Sequence, residues 1–437
     1  MLTRTRPARA LAGGAIVLWI AGCSGPAPVP DMNQIAESYV KLVLALGQHD
    51  ADYVDAYYGP AEWRTEAEAR TRTLDEIARE VQTLLAALDG PAAPSGADEL
   101  VVLRHRYLQR QLSALGARAA MLAGARLTFD EESQALYDAV APVNDAAHFQ
   151  QILDRLEAAL PGTGPPVDRY DAFRRDFVIP PDRLDAVFTA AIDACRARTL
   201  EHVELPETES FTVEYVTGKS WSAYNWYQGG FRSLIQVNTD LPIHIDRAID
   251  LACHEGYPGH HVYNALLEQR LVRDRGWIEF SVYPLFSPQS LIAEGTANFG
   301  IEVAFPGDSR VAFERATLFP IAGFDPSRAA RYYDVVRLAD ELSYAGNEAA
   351  RQYLDGRTDA VAAADWLERY ALMARPRAEQ RVRFIDQYRS YVINYNYGKD
   401  LVRTYIDGRG GTADEPGQRW EEFVTLLSSP RLPSGLR

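Results

Sequence analysis

Three features are missing from this chain, and each absence excludes a class of function. There is no long basic stripe: 45 Lys and Arg stand against 60 Asp and Glu, a formal charge of −15. Nucleic-acid binding is driven by clustered cations that release counterions, so that partner class is excluded. No apolar run reaches the roughly 20 residues that a permanent membrane-spanning helix needs. Cysteine is scarce, three in 437 residues. After Cys23 only Cys195 and Cys253 remain, both in helical patterns, where the expected role is a buried small thiol rather than a disulfide. No internal repeat or low-complexity tract stands out.

What is present is an ordinary globular composition, 47% hydrophobic and 24% charged, which supplies ample apolar surface to bury. The length allows two or three lobes. Arg4, Arg6 and Arg9 precede an apolar run from Leu11 to Ile20 and small residues at Ala21 and Gly22. Residues 1–22 therefore form an expected export signal. Ile20-Ala21-Gly22-Cys23 resembles the lipobox of bacterial lipoproteins, in which the Cys becomes the acylated first residue. Ser24 after it, rather than Asp, resembles the signal for delivery to the outer membrane. These likenesses imply a protein of the bacterial cell envelope, anchored to a membrane through lipid on Cys23 and facing the periplasm, with 23–30 as a Pro-rich tether.

From 31 to 205 the pattern is helical. Ile35, Tyr39, Leu42 and Leu46 recur at spacings of three and four, as do Leu74, Ile77, Val81 and Leu84, and these predict a helical N-terminal lobe. From 206 to 437 a second, catalytic region is expected. It begins with strand-like alternation at Phe211, Val213 and Tyr215, then a Gly229-Gly230 turn and a second run from Leu234 to Val237, before helical periodicity returns. The fold class expected is mainly α with a small β-sheet beside the active site. Leu234–Asn238 is read as an edge strand that could pair with an extended peptide, which would bring Asn238 and Thr239 near a substrate.

The chemistry concentrates in Leu251-Ala-Cys-His-Glu-Gly-Tyr-Pro-Gly-His-His261. A Zn²⁺ site in a hydrolase needs neutral imidazoles and an open position for water, and a neighbouring Glu can take a proton from that water. In the usual H-E-x-x-H helix the two His are one turn apart. Here Pro258 occupies the second His position, and His260 and His261 lie six and seven residues after His254. On an unbroken helix His261 would sit about 10 Å along the axis from His254, and His260 would point roughly 120° away. Proline cannot continue that helix, because its ring clashes with the carbonyl of residue 254 and it has no N–H. A two-residue bulge at Tyr257-Pro258-Gly259 returns His260 to the second ligand position, and His260 is preferred over His261, which falls to the substrate side. The third ligand expected is Glu294, within Ser290-Leu-Ile-Ala-Glu-Gly-Thr-Ala-Asn-Phe-Gly300. Gly295 and Ala297 are small enough to let two helices approach, and Asn298 could orient a ligand His.

His254-Glu-Gly-Tyr-Pro-Gly-His-His261 is similar to the H-E-x-x-P-G-H-H signature of a bacterial family known as domain of unknown function 885, placed among the gluzincin-like peptidases. Glu294-Gly-Thr-Ala-Asn-Phe resembles that family's E-G-W-A-x-Y, with Thr296 and Phe299 in place of Trp and Tyr. Gln236–Asp240 and Asn394–Gly398 also resemble family landmarks. Taq-type carboxypeptidases and dipeptidyl peptidase III place Gly directly before their second zinc His, as Gly259-His260 does. The resemblance implies gluzincin architecture with Zn²⁺ as cofactor on His254, His260 and Glu294, and a peptide or small amide as substrate. Glu255 is the expected base, and Tyr395, from its place in the family-like segment, the expected oxyanion donor. Arg375, Arg377, Arg381 and Arg383 form a local basic group, read chiefly as surface charge with one side chain free to bind a substrate carboxylate. The competing readings are a catalytically silent, lipid-anchored binding or scaffold protein that retains the fold, and a metal hydrolase of non-peptide amides. The oligomeric state and the end of the peptide attacked stay open.

Overall fold

The computed structural model describes residues 1–3, 31–89, 98–160 and 162–437. Apart from residues 1–3, the export signal, Cys23 and the tether lie outside the described residues. Among those described, no helix is long and apolar enough to cross a membrane.

The first helix, Met32–Leu46, starts where a reciprocal cap forms. Asp31 Oδ1 accepts from the Asn33 and Gln34 amides at 2.9 Å, and the Gln34 side chain accepts from the Asp31 amide, which satisfies donors a helix start leaves open. Its apolar stripe, Ile35, Tyr39, Leu42 and Leu46, is buried. Helix Leu74–Ala87 repeats the device with Thr73 and Glu76 and buries Ile77, Val81 and Leu84, each side chain contributing about 1.5–3 kcal/mol.

Beyond the helices there are two small sheets. In one, strand β1 (Val54–Tyr57) pairs antiparallel with β5 (Val282–Pro284). The other holds β2 (Ser210–Val216), β3 (Ala223–Gly229) and β4 (Arg232–Asn238) in the order β2-β4-β3. β3 and β4 form a hairpin through Gly229 and Gly230, whose φ values of 74° and 62° suit glycine. β2 lies parallel along the other side of β4. The run Leu234–Asn238 is therefore central, not an edge: both its hydrogen-bonding sides are taken, and the strand next to the large cavity is β3. One hydrophobic core runs from Ile35 to Leu436 and draws on residues either side of position 205. The β1–β5 pairing likewise joins the N-terminal helical region to the region that carries the site.

Cys195 and Cys253 are joined in a disulfide, Cα atoms 5.6 Å apart, where two separate buried thiols were expected. The bond ties helix Leu184–Leu200 to the turn that carries His254 and Glu255. Nothing local to either cysteine shows this pairing, because it depends on how that helix packs against the ligand turn.

Candidate metal centre

Helix Asp246–Leu251 does not continue as α-helix into the motif but widens into a π-helical turn, Ala252–Gly256, the type of local bulge often found at functional sites. Tyr257-Pro258, a cis peptide, then leads the chain out of the helix. The Gly259 amide bonds back to the Cys253 carbonyl at 2.9 Å, and a new helix runs from His260 to Leu267. Gly259 is required by space: a Cβ there would lie 1.8 Å from the His254 carbonyl oxygen. Pro258 rests on helix Pro288–Ala304, where a Cβ on Gly300 would come within 3.1 Å of its Cγ.

This interruption brings three donor groups together. His254 Nε2 and His260 Nε2 are 3.2 Å apart, Glu294 Oε2 is 3.3 Å from His254 Nε2, and Glu294 Oε1 is 3.6 Å from His260 Nε2. Donors bonded to one tetrahedral Zn²⁺ at about 2.0–2.1 Å stand about 3.3–3.4 Å from one another, close to the imidazole–imidazole separation and to the approach of a Glu294 oxygen to each imidazole. Two facing imidazole nitrogens need a proton or a cation between them. Glu294 Oε2 is buried and has no hydrogen-bond partner, an omission that a metal would repair. Glu255 also lies close, its carboxylate within 4.8 Å of both imidazoles. Of the two carboxylates Glu294 is the nearer and the better held, since Tyr391 Oη donates to its Oε1 at 2.9 Å.

The electrostatics favour a cation at the same point. Burial alone would discharge His260, yet Glu294, Glu255 and Asp55 together raise it to about 9. Burial opposes ionisation of Glu294 too, but His260 and His254 outweigh it and hold the carboxyl well below the usual range. Glu255 moves the other way: burial pushes it up, and the two imidazoles only partly offset that. A raised carboxyl is suited to taking and returning a proton near neutral pH.

Around the donors, Asn225 Nδ2 bonds the Glu255 carbonyl at 2.7 Å and Asn264 Nδ2 the His260 carbonyl at 2.9 Å. Asp55, on β1, accepts from Tyr224 Oη on β3, and burial with the nearby carboxylates raises it to about 7, partly offset by His260. Helices Pro288–Ala304 and Ile393–Gly408 approach so closely at Gly295 and Gly398 that a Cβ on Gly295 would sit 2.5 Å from the Gly398 carbonyl oxygen. That contact sets Tyr395 beside the site. Its hydroxyl makes no hydrogen bond with a described residue, and its ring lies 5.7 Å from that of Tyr391. The donors open into a cavity of ≈ 780 Å³.

His254, Glu255, His260, Glu294 and Tyr395 thus line one cavity, and so does Asn298. Asn298 does not orient an imidazole, however: it bonds the Glu294 and Tyr395 carbonyls at 3.0 and 3.3 Å and clamps the two helices together. His261 is turned away and fully buried. Its Nδ1 meets Ser233 Oγ at 2.9 Å and its Nε2 meets Glu209 Oε2 at 3.0 Å. Glu209 also accepts from Tyr257 and Arg196. Despite burial, these bonds hold its carboxyl down at about 2. His261 therefore locks the ligand helix to the sheet and presents nothing to a substrate. Asn238 and Thr239 are likewise occupied with closing a turn, Asn238 bonding the Lys219 and Trp221 carbonyls and Thr239 the Val216 carbonyl. Tyr391, Asp55, Tyr224 and Asn225 belong to the site and were not singled out in the sequence.

Fold and site together define a mainly α-helical protein with two small β-sheets and a buried His/Glu/His cluster able to hold a metal. No family model matches the chain, and no curated protein matches it; the likeness to family 885 rests on the motif residues. Among solved structures, the chain is similar to a candidate lipoprotein from Colwellia psychrerythraea at 13% identity and TM-score 0.49, over 83% of this chain and 68% of that one. It is similar to a candidate lipoprotein of unknown function from Shewanella oneidensis at 14% identity and TM-score 0.42, over 92% and 89%. It is also similar to an M32 carboxypeptidase from Deinococcus radiodurans R1 at 11% identity and TM-score 0.42, over 90% and 89%. These likenesses concern the overall course of the chain and say nothing of the chemistry of any residue.

Proposed function

We propose that the chain is a zinc-dependent peptide hydrolase of gluzincin type, exported and held at the envelope by lipid on Cys23. The observation that carries this reading is the donor cluster: two imidazole nitrogens 3.2 Å apart and a carboxylate whose two oxygens lie 3.3 and 3.6 Å from them, Oε2 being without a hydrogen-bond partner. His254, His260 and Glu294 would hold the ion. Bound there, Zn²⁺ polarises a peptide carbonyl and lowers the pKa of a water molecule toward neutrality. Glu255 accepts the proton that water loses and returns it to the leaving amine. Tyr395, with a free hydroxyl on the cavity, donates to the oxyanion. Tyr391 keeps the Glu294 carboxylate in place, as an outer partner does at metal sites, and Asn225 and Asn264 fix the main chain beneath Glu255 and His260. Export to an oxidising compartment is supported by the Cys195–Cys253 disulfide, a bond rare in the cytosol.

Metal analysis of the purified protein tests the ligand assignment. We expect about one zinc per chain, peptide cleavage abolished by a chelator and restored by zinc, and metal lost in His254→Ala. Full cleavage by metal-free protein would refute the reading.

A further inference from the structure

The cavity that opens from the donor triplet is rich in cations, and they are not all used in the same way. Arg247, Arg310, Arg337, Lys399 and Arg419 line it, and each pairs with a carboxylate of the protein: Asp250, Asp250 with Glu314, Asp308 with Asp334, Glu302, and Asp407. Two more lining residues, Arg377 and Arg381, have no carboxylate partner among the described residues. They sit four residues apart on helix Arg375–Tyr388, hence on one face. Their neighbours in sequence behave differently. Arg375 is paired with Asp365, Glu368 and Glu379, and Arg383 is exposed and does not line the cavity.

The guanidinium of Arg381 lies over the rings of Phe384 and Tyr395, 4.6 and 5.9 Å from their centroids, and its Nε is buried with no hydrogen-bond partner. Arg377 donates to Gln380 Oε1 at 2.9 Å and to Ser222 Oγ, just before β3, at 3.3 Å. Neither contact neutralises charge. A guanidinium withdrawn from water without an anion is costly. Burial lowers Arg381 from its ordinary value. Arg377 is exposed, so the uncompensated withdrawal from water falls on Arg381. A folded protein that neutralises five cavity cations and leaves two adjacent ones bare has left a place for an anion from outside.

The position of that place relative to the reacting centre fixes what the anion is attached to. The Arg381 guanidinium lies 5.9 Å from the Tyr395 ring centroid, Tyr395 meets Tyr391 edge to face at 5.7 Å, and Tyr391 Oη donates to Glu294 at 2.9 Å. The bare cation is thus two aromatic rings, Tyr395 and Tyr391, removed from Glu294 of the donor triplet. Arg381 lines the same cavity as the donors, so a peptide with its carboxylate at Arg381 can lay an upstream peptide bond against the triplet, a few residues of roughly 3.5 Å each from its end. We propose that Arg381, assisted by Arg377, receives the C-terminal carboxylate of a peptide, so that the site releases residues from the C-terminal end. This rests on the hydrolase reading above. Water adds its oxygen to a carbonyl carbon near the C-terminus, the C–N bond breaks, and the departing C-terminal fragment leaves with the proton carried by Glu255. A guanidinium fork fits a carboxylate through two parallel hydrogen bonds, which an amide cannot accept equally well.

The test uses the full-length, zinc-loaded protein and one N-acetylated peptide made with a free C-terminus and with a C-terminal amide. The free acid should lose a short C-terminal fragment, and the amide should be cleaved about 10–100-fold less well, the range expected for hydrogen bonds to a charged group. Arg381→Gln should remove this preference chiefly through KM, Arg381→Lys should restore it in part, and Arg383→Gln should leave it unchanged. Equal cleavage of acid and amide, or cleavage only of peptides with a free N-terminus, would overturn the proposal. Calorimetric binding of the same two peptides to Glu255→Gln protein gives a reading independent of turnover. Tighter binding of the acid, lost in Arg381→Gln, supports the carboxylate subsite even if no peptide is hydrolysed, in which case the hydrolase reading alone fails. Equal binding of acid and amide contradicts the subsite whether or not the protein is active.

Discussion

Glu255→Gln protein should keep its zinc and lose about 10²–10⁴-fold in kcat, the range typical of a positioned general base. The substitution is isosteric, and the local backbone is held independently by Asn225 through the Glu255 carbonyl. The result separates two carboxylates that both lie near the imidazoles. If Glu294 is the third ligand, as its distances of 3.3 and 3.6 Å and its bond from Tyr391 argue, the metal stays when Glu255 is neutralised. Were Glu255 itself the ligand, zinc would leave with the charge. Zinc content and initial rates on one preparation check both statements, and undiminished turnover would remove Glu255 from the mechanism.

Gly259→Ala is expected to have the second large effect, and for a steric reason. The added methyl would stand 1.8 Å from the His254 carbonyl oxygen and 2.5 Å from that of Cys253. Both are main-chain atoms of the ligand turn, with no rotamer to relieve the overlap. The turn must open, His254 and His260 separate, and the cost is roughly 3 kcal/mol or more. The variant should bind well under one zinc per chain while far-UV circular dichroism shows the helices intact. Gly300→Ala is the control: its methyl would meet only side-chain atoms, the Pro258 ring at 3.1 Å and the Phe423 ring at 3.2 Å, and zinc should be retained. Full zinc occupancy in Gly259→Ala would mean that the tight turn is not what gathers the ligands.

The parts of this arrangement that were legible in the sequence are those governed by local rules. Proline inside a helical pattern, followed by glycine, dictates a break, and helix geometry then decides which of two adjacent imidazoles returns to the first one's face. The stripes Ile35–Leu46 and Leu74–Leu84 were legible because helical period fixes which side chains share a face. What stayed hidden depends on packing between distant segments. Asp55 reaches the site only because β1 pairs with β5, a contact across more than half of the chain. Cys195 meets Cys253 for a similar reason. β4 reads as an edge until β3, whose Tyr224, Asn225 and Trp226 mix polar and aromatic residues, is recognised as the strand that covers it. Tyr391 and Tyr395 are one helical turn apart and chemically alike. Only the Gly295–Gly398 crossing determines that the first holds Glu294 and the second is left free.

A crystal of the zinc-loaded protein measured at the zinc absorption edge tests the central claim most directly. The account requires one anomalous peak about 2.0–2.2 Å from His254 Nε2, His260 Nε2 and an oxygen of Glu294, with His261 still bonded to Glu209 and Ser233. A peak bound by Glu255 with Glu294 out of reach, or zinc lodged anywhere else in the protein, would contradict it.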